Sequence, residues 1–215
     1  MTTRKNQSMD KRMFDAQLMI NNSLNEPDIL AALSQFGYDE QKLHEGKQLF
    51  EDVQSLSDVQ LVEYGSQHAA TDDLKKTWTA ARKAYIRTLK VARIAFVDNT
   101  EAETALLMKG RRKQTLGGWM EQATTFYTNL LNNADLTQEM KRYGYNTDKL
   151  AAEADLIWAV VKAHAAQQQS KGIARQATNR RNAKMAELEA WLTDFRAIVR
   201  IALEECPTRL KQLGL

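Results

Sequence analysis

Apolar residues recur every three to four positions along most of this chain, the spacing of amphipathic helices. Met13, Ala16, Ile20 and Leu24 mark a first helix over about Lys11–Leu24. Asn25-Glu26-Pro27-Asp28 interrupts it, with Asn25 a fair cap and Pro27 suited to the first turn of a new helix. That short second helix ends at Phe36-Gly37, where glycine supplies a left-handed stop and Asp39 caps a third helix. The third is expected to run to about Tyr64, carrying Leu43, Leu49, Phe50, Val53, Leu56 and Val62. Gly65 then reads as a hairpin turn, and a fourth helix starts near Thr71 with Leu74, Trp78, Ala81, Tyr85, Leu89, Ala92 and Phe96 as one inward stripe.

The same order returns 107 positions later. Without gaps, residues 13–96 align with 120–203, and 19 of the 84 positions are identical. Phe36-Gly37-Tyr38-Asp39 falls on Tyr143-Gly144-Tyr145-Asn146, Gly65 on Gly172, and Arg93-Ile94-Ala95 on Arg200-Ile201-Ala202. Self-similarity at a fixed period is the mark of a duplicated unit. The expected fold is all-α, an antiparallel helical bundle of two tandem copies of a unit of about 107 residues, related by a pseudo-two-fold axis. Each copy is expected to be a short helix pair plus a long helical hairpin. Residues 1–107 and 108–215 form the two repeats, packed together as one structural unit because a lone hairpin cannot bury its own stripe. Trp158, which stands where the first copy has Glu51, is expected at the contact between the halves.

Composition narrows the picture. Of 215 residues, 43% are hydrophobic and 27% charged, which is ordinary for a globular protein and unlike disorder. Two prolines and nine glycines are too few for an all-β fold rich in tight turns. The single cysteine, Cys206, allows no internal disulfide and fits a reducing compartment. Neither a signal peptide nor an uninterrupted apolar run of membrane-spanning length is visible, so a cytoplasmic location and no membrane role are expected.

The net charge of +3 is too mild to imply nucleic acid by itself. Two basic segments are more suggestive: Lys109, Arg111, Arg112 and Lys113 between the copies, and Lys171, Arg175, Arg180, Arg181 and Lys184 after the second glycine. If they converge they can neutralise several phosphates. Lys76, Lys83, Arg87 and Lys90 also fall on roughly one side of the fourth helix. The plainer reading of all these charges is a solvated face opposite the apolar stripe.

Catalytic and metal signatures are missing from the pattern. Gln41, Gly65 and Val161 stand three residues before His44, His68 and His164, so no Glu-x-x-His pair of the di-metal helical bundles exists. Glu204-Glu205 precedes Cys206 and disfavours its thiolate. No phosphate loop, dinucleotide fingerprint or nucleophile elbow is found. No catalytic residue, cofactor or metal is therefore expected. Asp28 and Asp135, Arg93 and Arg200, and Tyr38 and Tyr145 are retained in both copies. They read as structural pairs, each arginine approaching an aspartate or a helix C-terminus and each tyrosine wedging a corner.

Thr104-Ala105-Leu106-Leu107-Met108-Lys109-Gly110-Arg111-Arg112-Lys113 leading into Gly117-Gly118-Trp119, and the ending Pro207–Leu215, resemble segments of uncharacterised bacterial all-helical proteins. The aromatic-Gly-Tyr corner followed by Lys-Leu is similar as well. The resemblance implies a helical fold and no activity, cofactor or ligand. The leading expectation is a non-enzymatic helical scaffold with a protein partner or self-association. Nucleic-acid binding through the basic segments is the alternative, and a small-ligand sensor or enzyme with its pocket between the repeats is a third class.

Overall fold

The computed structural model describes residues 8–215, and all regular structure among them is helical. The helices are α1 (Met9–Asn25), α2 (Pro27–Ser34), α3 (Glu40–Ala95), α4 (Thr100–Ala105), α5 (Leu116–Leu131), α6 (Ala134–Lys141), α7 (Thr147–Ala202) and α8 (Pro207–Gln212). The starts of α1 to α4 return at α5 to α8 after 107 positions each, as 9 to 116, 27 to 134, 40 to 147 and 100 to 207.

Local chemistry sets the joints. Pro27 occupies the first turn of α2, while α6 is capped by Asn133, whose Oδ1 accepts from the amides of Asp135 and Leu136. Gly37 and Gly144 adopt φ of +80° and +78°, a region that side chains avoid. The Tyr38 and Tyr145 amides then turn back to the carbonyls of Leu33 and Met140 at 3.1 Å. Asp39 and Asn146 accept from the Lys42 and Lys149 amides at 2.8 and 2.9 Å, opening α3 and α7.

The hairpins expected at Gly65 and Gly172 do not form: α3 and α7 are single helices of 56 residues each. Neither glycine has a positive φ, and a Cβ at either would meet nothing within 4 Å. An interior glycine costs a helix roughly 1 kcal/mol relative to alanine. Glu63, Tyr64, Ser66 and Gln67 around Gly65 include no second breaker, so the helix continues through it.

The long helices change the domain division as well. One compact unit comprises the described residues up to Tyr64 together with Ile173–Leu215, and the other is Gly65–Gly172. Each unit takes helices from both sides of residue 107.

In the first unit, Ala16, Met19 and Ile20 of α1 pack with Ile29 and Leu33 of α2 and with Leu43 and Val53 of α3. Leu188, Leu192, Phe195 and Val199 of α7 complete that core, and Leu213 closes it after α8. In the second unit, Tyr85, Leu89 and Ala92 of α3 and Phe96 just beyond it cluster with Trp119, Phe126, Tyr127 and Leu130 of α5. Met140 of α6 and Leu150, Ile157 and Val160 of α7 lie in the same cluster. The expected stripe of the fourth helix is thus the apolar side of the second half of α3.

Candidate functional site

A surface groove of about 700 Å³ runs along α3 in the second unit, and every residue lining it belongs to that one helix. Steps of three and four from Lys75 to Lys90 place the lining on one face over about 22 Å, at 1.5 Å per residue. Its floor is apolar. Trp78 and Ile86, both half-buried, rest on the core beneath, and the Trp78 ring lies 6.1 Å from that of Trp119. Five cations, Lys75, Arg82, Lys83, Arg87 and Lys90, stand around this floor, and no acid lines it.

The setting of these cations is one-sided. Between residues 74 and 97 the chain has seven Lys or Arg and no Asp or Glu. Arg82 donates to Gln114 Oε1 at 2.9 Å, which holds its guanidinium without neutralising it. Lys83, Arg87 and Lys90 are exposed and form no ion pair among the described residues. Like charges crowded on one face repel, and an anionic occupant would relieve them.

The basic segment Lys109–Lys113 is largely occupied with its own loop. Lys109 pairs with Glu103 at 2.6 Å and Lys113 with Glu121 at 3.1 Å. Arg112 donates to the carbonyls of Leu107, Lys109 and Gly110 and to the Tyr85 hydroxyl. It braces a turn in which Leu107 and Gly110 both have positive φ. Arg111 is exposed beside it. In the other segment, Arg181 donates to Gln60 and Asn182, and Lys184 lies against Glu187 and Asp52. Lys171, Arg175 and Arg180 are exposed on α7, Lys171 in the second unit and the other two in the first.

The residues that match at a spacing of 107 take unequal roles. Arg93 donates from Nε and Nη2 to the Met108 carbonyl, just beyond the C-terminus of α4, whereas Arg200 is exposed with no such bond among the described residues. Asp28 pairs with Arg209 at the start of α8, and Asp135 is exposed. Neither arginine meets either aspartate; of the two expected contacts, Arg93 makes the one near a helix C-terminus and Arg200 makes neither among the described residues. Arg93 already has a carbonyl partner, and the exposed Arg200 is solvated. Tyr38 stacks on Phe195 at 5.1 Å and meets Trp191 edge-on, while Tyr145 is buried beneath the Lys149 ammonium. Trp158 is 55% exposed, not buried as expected. It lies in a cleft of about 200 Å³ with Thr124, Tyr127 and Ile157.

A second cleft of about 210 Å³ occupies the equivalent place in the first unit. Gln17, Ile20, Asn21, Lys47, Phe50 and Glu51 there correspond, 107 residues earlier, to Thr124, Tyr127, Thr128, Ala154, Ile157 and Trp158. Each cleft is lined from one half of the sequence alone, unlike the pocket between halves of the third class. Deeper in the second unit, the Glu153 carboxylate accepts from the hydroxyls of Thr88 and of Tyr127, the latter at 2.9 Å. Burial first, and the Glu153 charge next, push the Tyr127 hydroxyl far above its usual value of 10.0.

The three histidines do not gather. Among the described residues no three of His, Cys, Asp and Glu come close enough to hold a metal ion, and no helix is long and apolar enough to cross a membrane. Of Lys76, Lys83, Arg87 and Lys90, which the sequence places on roughly one side of a helix, the structure brings Lys83, Arg87 and Lys90 around Trp78 and Ile86 and leaves Lys76 outside the lining. The spacing Lys75, Trp78, Arg82, Ile86 and Lys90 was the available signal. No protein-family model matches the chain, and no curated protein or solved structure is significantly similar to it.

Proposed function

We propose that this protein is a non-enzymatic helical scaffold, descended from a duplicated unit of about 107 residues, that docks an acidic amphipathic helix of a protein partner on α3. The observation that carries this reading is the open apolar floor of Trp78 and Ile86 flanked by five cations and no acid. An amphipathic helix laid in such a groove buries its apolar anchors against the floor, and its carboxylates face the Lys and Arg rim. The 19 identities and the recurring helix starts support the duplication. The single cysteine supports a reducing, cytoplasmic setting.

Nucleic acid is the second reading, favoured by the seven cations and no acid between residues 74 and 97. Against it stands the apolar floor, since phosphate contacts need cations and no buried anchor. A titration of Trp fluorescence separates the two. A designed Glu/Leu amphipathic helical peptide is expected to shift the emission of the wild type and not of the Lys83→Glu/Arg87→Glu variant. Tighter binding of duplex DNA than of the peptide, with affinity falling steeply in salt, would reverse the order of the readings.

A further inference from the structure

The groove's complement is present in the chain itself. Between residues 48 and 74, within α3, there are six Asp or Glu and no Lys or Arg. This stretch also exposes large apolar side chains: Leu61 is 73% and Tyr64 40% accessible. Asp58, Leu61 and Tyr64 follow one another at helical steps of three, so acid and apolar groups share a flank, as an occupant of the groove needs. Asp58, the acid on that flank, forms no ion pair among the described residues. We propose that the occupant of the α3 groove is a second copy of this chain, whose acidic segment around Asp58–Tyr64 seats Leu61 and Tyr64 against Trp78 and Ile86 beneath the Lys83 and Arg87 heads.

The inference rests on the reading of the groove as a helix-docking face and names its partner. Two features favour a second copy over an unrelated acidic helix. The acidic segment is already helical in the folded protein, so docking it carries little of the ordering cost a disordered partner would bear. Groove and segment also belong to the same helix, so a two-fold contact between copies forms the interaction twice, which an isologous dimer requires.

Sedimentation equilibrium of the full chain tests this. The expected result is a concentration-dependent dimer at low salt that weakens as salt is raised. Lys83→Glu/Arg87→Glu and Asp58→Lys alter exposed side chains. Each variant alone is expected to be monomeric, with the wild-type circular-dichroism spectrum as the check on folding. Mixing the two variants re-creates opposite charges in both contacts and is expected to restore the dimer. A wild type that stays monomeric at low salt, reversal variants that dimerise as well as the wild type, or a mixture that stays monomeric overturns the proposal. A monomeric wild type that still binds the Glu/Leu peptide removes only the second copy as partner, whereas failure to bind that peptide removes the docking reading itself.

Discussion

The indole of Trp191 fills the space that a side chain at Gly46 would occupy: a Cβ built on Gly46 would lie 2.4 Å from Trp191 Cη2. Tyr38 and Phe195 stand on other sides of the same indole, with ring centroids 5.8 and 4.8 Å away, so it has little freedom to retreat. Gly46→Ala is expected to destabilise the protein by about 1–3 kcal/mol through overpacking. That outweighs the roughly 1 kcal/mol alanine would gain in an open helix. Urea unfolding checks it, and the same change in a Trp191→Leu background is expected to cost much less.

At the position equivalent to Gly46 stands Glu153, and the second unit is held there by polar groups. Because the Tyr127 pKa is raised in the folded state, its contribution is fully present below the ordinary tyrosine value and is lost as pH climbs above it. Tyr127→Phe is expected to lower stability at neutral pH by about 1–3 kcal/mol, the cost of leaving a buried acceptor one donor short. It should also flatten the fall in melting temperature between pH 9 and 11, roughly the range just around the usual tyrosine pKa. An unchanged alkaline slope in Tyr127→Phe contradicts this assignment.

The four glycines at repeat-equivalent places separate into two kinds. Gly65→Ala and Gly172→Ala are expected to raise stability by up to about 1 kcal/mol, because both lie in helix interiors with open space around them. Gly37→Ala and Gly144→Ala are expected to lower it by roughly 1–2 kcal/mol, because φ near +80° strains any Cβ. Thermal melts of the four single variants measure the contrast. A loss at Gly65 would indicate a turn there.

Arg112 and Arg111 are neighbours in sequence with different work. Arg112→Ala removes the donors that hold three carbonyls of the turn and is expected to lower stability by about 1–3 kcal/mol. Arg112→Lys recovers only part, since an ammonium cannot reproduce the planar fork. Arg111→Ala, at an exposed position, is expected within about 0.5 kcal/mol of the wild type. Differential scanning calorimetry of the three variants tests the division.

Much of the fold was legible because the relevant signals are local. Pro27, Gly37 and Asp39, with Gly144 and Asn146, each act on their own few residues, and α2, α3, α6 and α7 begin or end where those residues allow. The stripe from Leu74 to Phe96 was legible from its period alone. Gly65 and Gly172 misled because glycine permits a turn without requiring one. Which outcome prevails depends on the packing of the helix on either side, and a single residue does not carry that information. The short α4 and α8 were passed over although Asn99 caps one and Pro207 opens the other, since six residues show no period. The groove on α3 was half legible. Its cations read as a solvated face in the sequence, because Trp78 belongs to the expected core stripe and Ile86 falls outside that stripe.

The continuity of α3 and α7 decides the division into units and with it the setting of the groove. Backbone chemical shifts across 62–68 and 169–175 measure that continuity directly. Unbroken helical values through Gly65 and Gly172 are the predicted result. Turn values there, with either glycine in the left-handed region, would contradict it and return the chain to two closed hairpins.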